Sequence, residues 1–195
     1  MVKRIGLFGG TFDPVHKGHE SIADSFLNSE YIDELWVLLT PFPPHKKEQN
    51  HAPYKFRLQM LKAVFSAKQN IRISTVENQL PKPSFSVQTI RHLKKNYPEN
   101  NFLYCMGEDS LAQFNQWKFY QEILEECELL VAHRPGSHHD DVEQKILEKT
   151  HFVDHVPLAI SSTEVKEAIT RGEASIKEKL DKQVCSIIDK EQLYS

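Results

Sequence analysis

Two histidines one helical turn apart, His16 and His19, stand where a short apolar run gives way to an amphipathic one. The stretch reads Gly9-Gly10-Thr11-Phe12-Asp13-Pro14-Val15-His16-Lys17-Gly18-His19. Free backbone N–H groups and the dipole at a helix start favour an anion. Two imidazoles added to such a tip make a site for phosphate groups, not for a bare proton transfer. The glycine pair lets backbone approach a bulky ligand closely. A lone histidine on an apolar face is an ordinary core residue. Strand, glycines, histidine spacing and helix in agreement are not explained that way.

Further candidates lie along the chain. Thr40-Pro41-Phe42-Pro43-Pro44-His45-Lys46-Lys47 is a stiff loop at the C-terminal end of a strand, the edge where open α/β sheets bind ligands. Lys46 either meets phosphate there or belongs to a solvated basic turn. Ser84, Phe85 and Ser86 precede a helix: a serine caps it, or its free N–H groups hold a carboxylate. Gly107 and Asp109 come after another strand, where the aspartate is a cap or a ribose or ring-edge contact. Trp117, among Asn115, Gln116 and Lys118, is a core residue or an exposed stacking platform. Ser161 and Glu164 have capping-box spacing. Ser162, Thr163 and Lys166 would turn that helix start into a second anion site. Arg57, off its helix's apolar stripe, either reaches the ligand edge or, by the preferred reading, is a solvated arginine. The run His138-His139-Asp140-Asp141 matches no established metal spacing and reads as a solvated loop, so no protein-held metal site is expected.

The first stretch resembles the HxGH signature of the nucleotidylyltransferase superfamily, whose members join a nucleoside triphosphate to a phosphate-bearing acceptor. With His16 as first histidine, it resembles the mononucleotide or cytidylyltransferase branches more than the phosphopantetheine one. The Pro43-Pro44-His45-Lys46 loop, the Gly107, Asp109, Leu111 and Trp117 segment, and Arg134-Pro135-Gly136 are similar to those of nicotinate-nucleotide adenylyltransferases. Ser161-Ser162-Thr163 resembles the phosphate-holding motif near their C-terminus, with Lys166 in place of the usual arginine. Phe85, Ser86 and Gln88 stand where the family has tyrosine, threonine and aspartate.

The resemblance implies transfer of the adenylyl group of ATP to nicotinate mononucleotide, giving deamido-NAD and pyrophosphate. It implies His16, His19 and Lys46 as catalytic groups and Mg²⁺ arriving with ATP. ATP would be bound by Gly9, Gly10, Thr11, Phe12, His16, His19, Gly107, Asp109, Arg134, Ser161, Ser162, Thr163 and Lys166. The acceptor would be bound by Lys46, Ser84, Phe85, Ser86 and Trp117. The rival readings are an adenylyltransferase for nicotinamide mononucleotide or phosphopantetheine, and a module that senses ATP without turnover.

Positioning these groups requires strands that end at one edge. Apolar runs at residues 5–8, 35–39, 71–76, 101–106, 128–132 and 152–153 alternate with amphipathic stretches. That order predicts βαβ units. The expected fold is α/β, a Rossmann-like doubly wound parallel sheet with helices on both faces and a small helical C-terminal part. One domain over residues 1–195 is expected, with 172–195 as its helical extension. A chain of 195 residues is long enough for a real core. Its net charge of −3 argues against general nucleic-acid binding. Three scattered cysteines suit a reducing compartment. Neither a signal peptide nor a membrane-length apolar run is read, so a cytoplasmic protein is expected, with a homo-oligomer left open.

Overall fold

The computed structural model describes residues 2–41, 51–134 and 136–194. Six strands run in parallel: β1 (Arg4–Gly10), β2 (Glu34–Leu39), β3 (Ile71–Ser74), β4 (Asn101–Gly107), β5 (Glu128–His133) and β6 (Thr150–Asp154). Their order across the sheet is β3-β2-β1-β4-β5-β6. In register, Gly10 lies opposite Leu39 and Phe8 opposite Cys105. This is the doubly wound arrangement expected from the sequence.

Successive strand side chains point to opposite faces, so a nearly continuous apolar strand serves two cores. On β2, Leu35, Val37 and Leu39 join one apolar cluster, whereas Trp36 and Leu38 join the other. The first cluster is covered by α1 (Lys17–Leu27), α2 (Tyr54–Phe65), α7 (Ser162–Thr170) and α8 (Lys182–Glu191). Phe26, Leu61, Val165 and Val184 are their buried contributions. The second cluster is covered by α3 (Ser86–Asn96) and α5 (Tyr120–Glu126), through Ile90, Leu93 and Ile123. Two single-turn helices, α4 (Glu108–Leu111) and α6 (Gln144–Leu147), lie directly after β4 and shortly before β6. The helical C-terminal part is present, and α8 packs against α2.

β1 extends through Gly9 and Gly10 and does not stop at Phe8. A Cβ at Gly9 would meet the Tyr104 hydroxyl at 2.8 Å, and one at Gly10 would meet the Phe12 ring at 2.8 Å. The close approach that requires these glycines is therefore made by the protein's own side chains. Among the described residues no helix is long and apolar enough to cross a membrane. Cys105, Cys127 and Cys185 are free thiols.

Successive connections run from β1 to β2 on one side, and return to β4 on the other. A crevice opens between the C-terminal ends of β1 and β4, at this switch point.

Candidate active site

A cavity of about 350 Å³ lies at that crevice. Gly9, Gly10, Thr11, Phe12 and His19 line it from β1 and the start of α1. Ser162, Thr163 and Lys166 line it from α7. Ser84, Phe85, Ser86, Tyr104, Trp117 and Lys118 line its other side. Segments separated by more than a hundred residues thus face one space.

His16 is the N-cap of α1, and its backbone N–H donates to Nδ1 of His19 at 3.2 Å. In neutral His19 the proton then resides on Nε2, which makes that nitrogen a donor. The two rings are 3.8 Å apart between centroids. Phe12, in the left-handed region at φ 48°, packs its buried ring edge-on against His19 at 5.0 Å. His16 does not line the cavity. Burial pushes its pKa down to about 4, against the opposing charge of Glu164, so it is a neutral imidazole near pH 7. Its Nδ1 is buried without a partner among the described residues.

Asp13 anchors the turn between β1 and α1. It is 3% exposed. Oδ1 accepts from the Tyr194 hydroxyl at 2.7 Å and from the Ala52 N–H at 3.1 Å. Oδ2 faces His51 Nδ1 at 2.9 Å and Lys166 Nζ at 3.5 Å. Burial raises its pKa, but the bonds from Tyr194, His51 and Ala52, with the charge of Lys166, hold it below the usual carboxylate value.

Arg57 departs from the sequence expectation. It is 2% exposed and not solvated. It stands one turn before Leu61 and two before Val64, squarely on the buried stripe of α2. Its guanidinium donates to the carbonyls of Ala52 (3.0 Å), Thr11 (2.8 Å), Thr40 (2.9 Å) and Pro41 (3.3 Å). A planar five-donor fork is what can join the ends of β1 and β2 in this way.

At α7 the expected capping box is present. Ser161 Oγ accepts from the Glu164 N–H at 3.2 Å, and Glu164 accepts from the Ser161 N–H at 2.6 Å. Ser161 faces solvent outside the cavity, and the Ser162 hydroxyl donates to the Pro14 carbonyl at 3.0 Å. At α3 neither serine is the cap, because Phe85 holds that position. Gln88 accepts from the Phe85 N–H at 3.2 Å. Ser86 shares a hydrogen bond of 2.9 Å with Tyr104. Ser84 Oγ is buried and has no partner among the described residues. Trp117 is half-buried and not a bare platform, packing edge-on to Tyr104 at 6.0 Å and tilted against Phe114 at 5.5 Å.

Gly107, Asp109 and Arg134 lie at the same sheet edge but do not line the cavity. Arg134 and Asp109 are exposed and pair with each other at 2.8 Å. Lys46 falls outside the described residues. The 138–141 run is not uniformly solvated. His139 is half-buried and lies 2.7 Å from Glu108 Oε1. Glu108 also accepts from Ser137 and the Arg134 N–H. Burial raises its pKa, and these bonds, with those from His139 and His133, outweigh that effect and lower it.

A profile of cytidylyltransferase-like proteins matches residues 7–168. A Flavobacterium johnsoniae protein named "probable nicotinate-nucleotide adenylyltransferase" is 35% identical, over 98% of each chain. One of the same name from Christiangramia forsetii is 34% identical over the whole of both. The chain belongs to the nicotinate-nucleotide adenylyltransferase family. Its fold is also that of the Plasmodium falciparum nicotinic acid mononucleotide adenylyltransferase complexed with NaAD, at a TM-score of 0.83 and 20% identity, over 98% of this chain and 97% of that one. Nucleotidyltransferases of this kind generally use a divalent metal with ATP.

Sequence reasoning passed over several residues of this cavity and its walls. Asp13 lies inside the histidine motif without an assigned role. Glu77, 6% exposed, lines the cavity and accepts from Thr89 at 3.2 Å. A carboxylate just after an apolar strand was its visible signal. Tyr104 was hidden within an apolar run. His51 and Tyr194 carry no local signal, because only folding brings them to Asp13.

Proposed function

We propose that the protein transfers the adenylyl group of ATP to nicotinate mononucleotide, releasing pyrophosphate and forming deamido-NAD. The observation that carries this reading is the single cavity in which His19, Thr163 and Lys166 meet Ser84, Phe85, Ser86 and Trp117. A phosphate oxygen of the acceptor attacks the α-phosphorus, and the bond to the bridging oxygen of pyrophosphate breaks. No protein nucleophile is required. Catalysis is positioning and charge stabilisation. Nε2–H of His19, Lys166 and the first-turn N–H groups of α7 supply donors to the phosphates. His16, neutral and buried, fixes the start of α1 and the orientation of its partner ring. Asp109 and Arg134 are placed by the same reading at the ATP side, and Lys46 at both substrates.

Of the two carboxylates of the cavity, Asp13 is bonded within the protein on both oxygens, whereas Glu77 accepts from Thr89 through Oε1 and leaves Oε2 buried without a partner among the described residues. Mg²⁺ arriving with ATP is the proposed ion, and it would shield charge on the phosphates. A single domain in a reducing cytoplasm completes the reading.

The acceptor choice follows from charge. The start of α3 offers N–H groups without helical partners, and Lys118 lines the same part of the cavity. A carboxylate satisfies these donors; an amide brings NH₂ donors against them. Nicotinate mononucleotide should be preferred over nicotinamide mononucleotide by at least about tenfold in kcat/KM, or ~1.4 kcal/mol. Pyrophosphate release with the two acceptors side by side is the test. Equal rates or an amide preference would overturn the acceptor assignment, and no release with any mononucleotide would overturn the enzyme reading.

A further inference from the structure

We propose that Glu108, His133 and His139 form a binding site for a divalent transition metal of the zinc class, outside the catalytic cavity. The three residues come from three places: the first turn of α4, the end of β5 and the loop beyond it. Both imidazoles converge on one carboxylate oxygen. His139 Nε2 lies 2.7 Å from Glu108 Oε1, and His133 Nδ1 lies 3.3 Å from the same atom. The candidate ligand atoms all lie within 4.8 Å of one another. Four-coordinate zinc, with bonds of about 2.0–2.2 Å, spaces its ligand atoms about 3.3 Å apart. The His133 separation equals that value, and the His139 separation is about 0.6 Å shorter, so His139 would draw back slightly to admit an ion.

The surroundings orient the set. The other carboxylate oxygen, Oε2, accepts from the Arg134 N–H at 2.9 Å and the Ser137 hydroxyl at 2.7 Å. It is thereby committed, and Oε1 is left facing the imidazoles, as outer hydrogen bonds orient ligating carboxylates elsewhere. Phe152 backs both rings, with centroids 4.6 Å from His139 and 5.7 Å from His133. The three side chains are 11–24% exposed, so an ion can reach them while bulk water is largely excluded. Two imidazoles and one carboxylate select a borderline metal; Mg²⁺ and Ca²⁺ favour oxygen sets. Three protein ligands leave a position for water.

The competing account is a latch in which the imidazoles only hydrogen-bond to Glu108. A latch needs protons on the two facing nitrogens, whereas a metal needs their lone pairs. Metal binding also has a consequence for the nucleotide edge. His133 and His139 flank Arg134, whose guanidinium pairs with Asp109 at 2.8 Å. An ion at this site would tie that loop to the first turn of α4.

The test uses full-length protein stripped with chelator, then titrated with Co²⁺ and afterwards Zn²⁺. One equivalent of Co²⁺ should bind at micromolar concentration with visible d–d bands, and one equivalent of Zn²⁺ should bleach them. Millimolar Mg²⁺ should not. Zn²⁺ should raise Tm of the wild type but not of His139→Ala or His133→Ala, and both variants should lose the bands. Glu108→Gln should weaken Co²⁺ at least about tenfold. His138→Ala, at an exposed neighbour, should keep the site. Circular dichroism in chelator checks that each variant is folded, and Glu108→Gln decides the matter where a histidine variant fails to fold. Absence of a saturable Co²⁺ band in the wild type, bands unchanged in the folded variants, or their loss in His138→Ala alone would overturn the proposal and leave the latch.

Discussion

His19 and Lys166 reach the cavity by different means. His19 is oriented by a backbone N–H on Nδ1 and by the edge of Phe12. Lys166 is drawn toward Asp13 at 3.5 Å while still lining the cavity. Removing a donor that acts on transferring phosphates costs about two to three powers of ten in rate. His19→Ala should therefore lower kcat/KM by roughly 10²–10³ and leave the fold intact, as the ring is only half-buried. Lys166→Ala should mainly raise the KM for ATP, with Lys166→Arg closer to wild type, because arginine keeps the charge. Steady-state kinetics with each substrate varied would measure both, and wild-type turnover in His19→Ala would remove it from the chemistry.

At the scale of elements, the turn after β1 is held from three directions. Arg57 of α2 ties it to the end of β2, Ser162 of α7 bonds Pro14, and Tyr194 beyond α8 reaches Asp13. The C-terminal part thus holds a turn nearly the whole chain away. Tyr194→Phe removes one donor from a buried carboxylate while preserving the ring. Hydrogen bonds to charged groups contribute about 1.5–3 kcal/mol, so urea unfolding should show a loss in that range. The turn also carries the N-terminus of α1, so the same variant should lower kcat more than its change in secondary structure suggests. Unchanged stability and kinetics would reduce the Tyr194 contact to an incidental one.

For the whole molecule, His16 links burial to pH. Its folded pKa is about 4 against 6.5 for a solvated histidine, so between those values the unfolded chain binds more protons. Stability from this residue is present above pH 6.5 and is lost as pH falls toward about 4, by roughly 3 kcal/mol in total. His155, also lowered by burial, acts in the same direction. Urea unfolding at about pH 7 and about pH 4.5 should show a steeper decline for the wild type than for His16→Asn, whatever the variant's stability at neutral pH. Equal declines would mean that His16 is not buried as a neutral group.

The order of strands and helices, the histidine turn and the capping box of α7 were legible because each rests on local rules. A short continuous apolar run writes a strand covered on both faces, helical periodicity writes a helix, and Ser161 with Glu164 writes a cap. Everything beyond those rules was decided by contacts between distant segments. Gly9 needs its lack of a side chain because Tyr104 of β4 fills the space. Arg57 looks like a surface residue by type, yet four carbonyls from the surrounding loops and strand ends make its burial favourable. Asp13 becomes an anchor only when His51, Lys166 and Tyr194 converge on it, and His139 leaves the solvent only when Glu108 and Phe152 are beside it. Local pattern specifies which faces are apolar. The partners of a buried polar group are specified by the fold that closes around it.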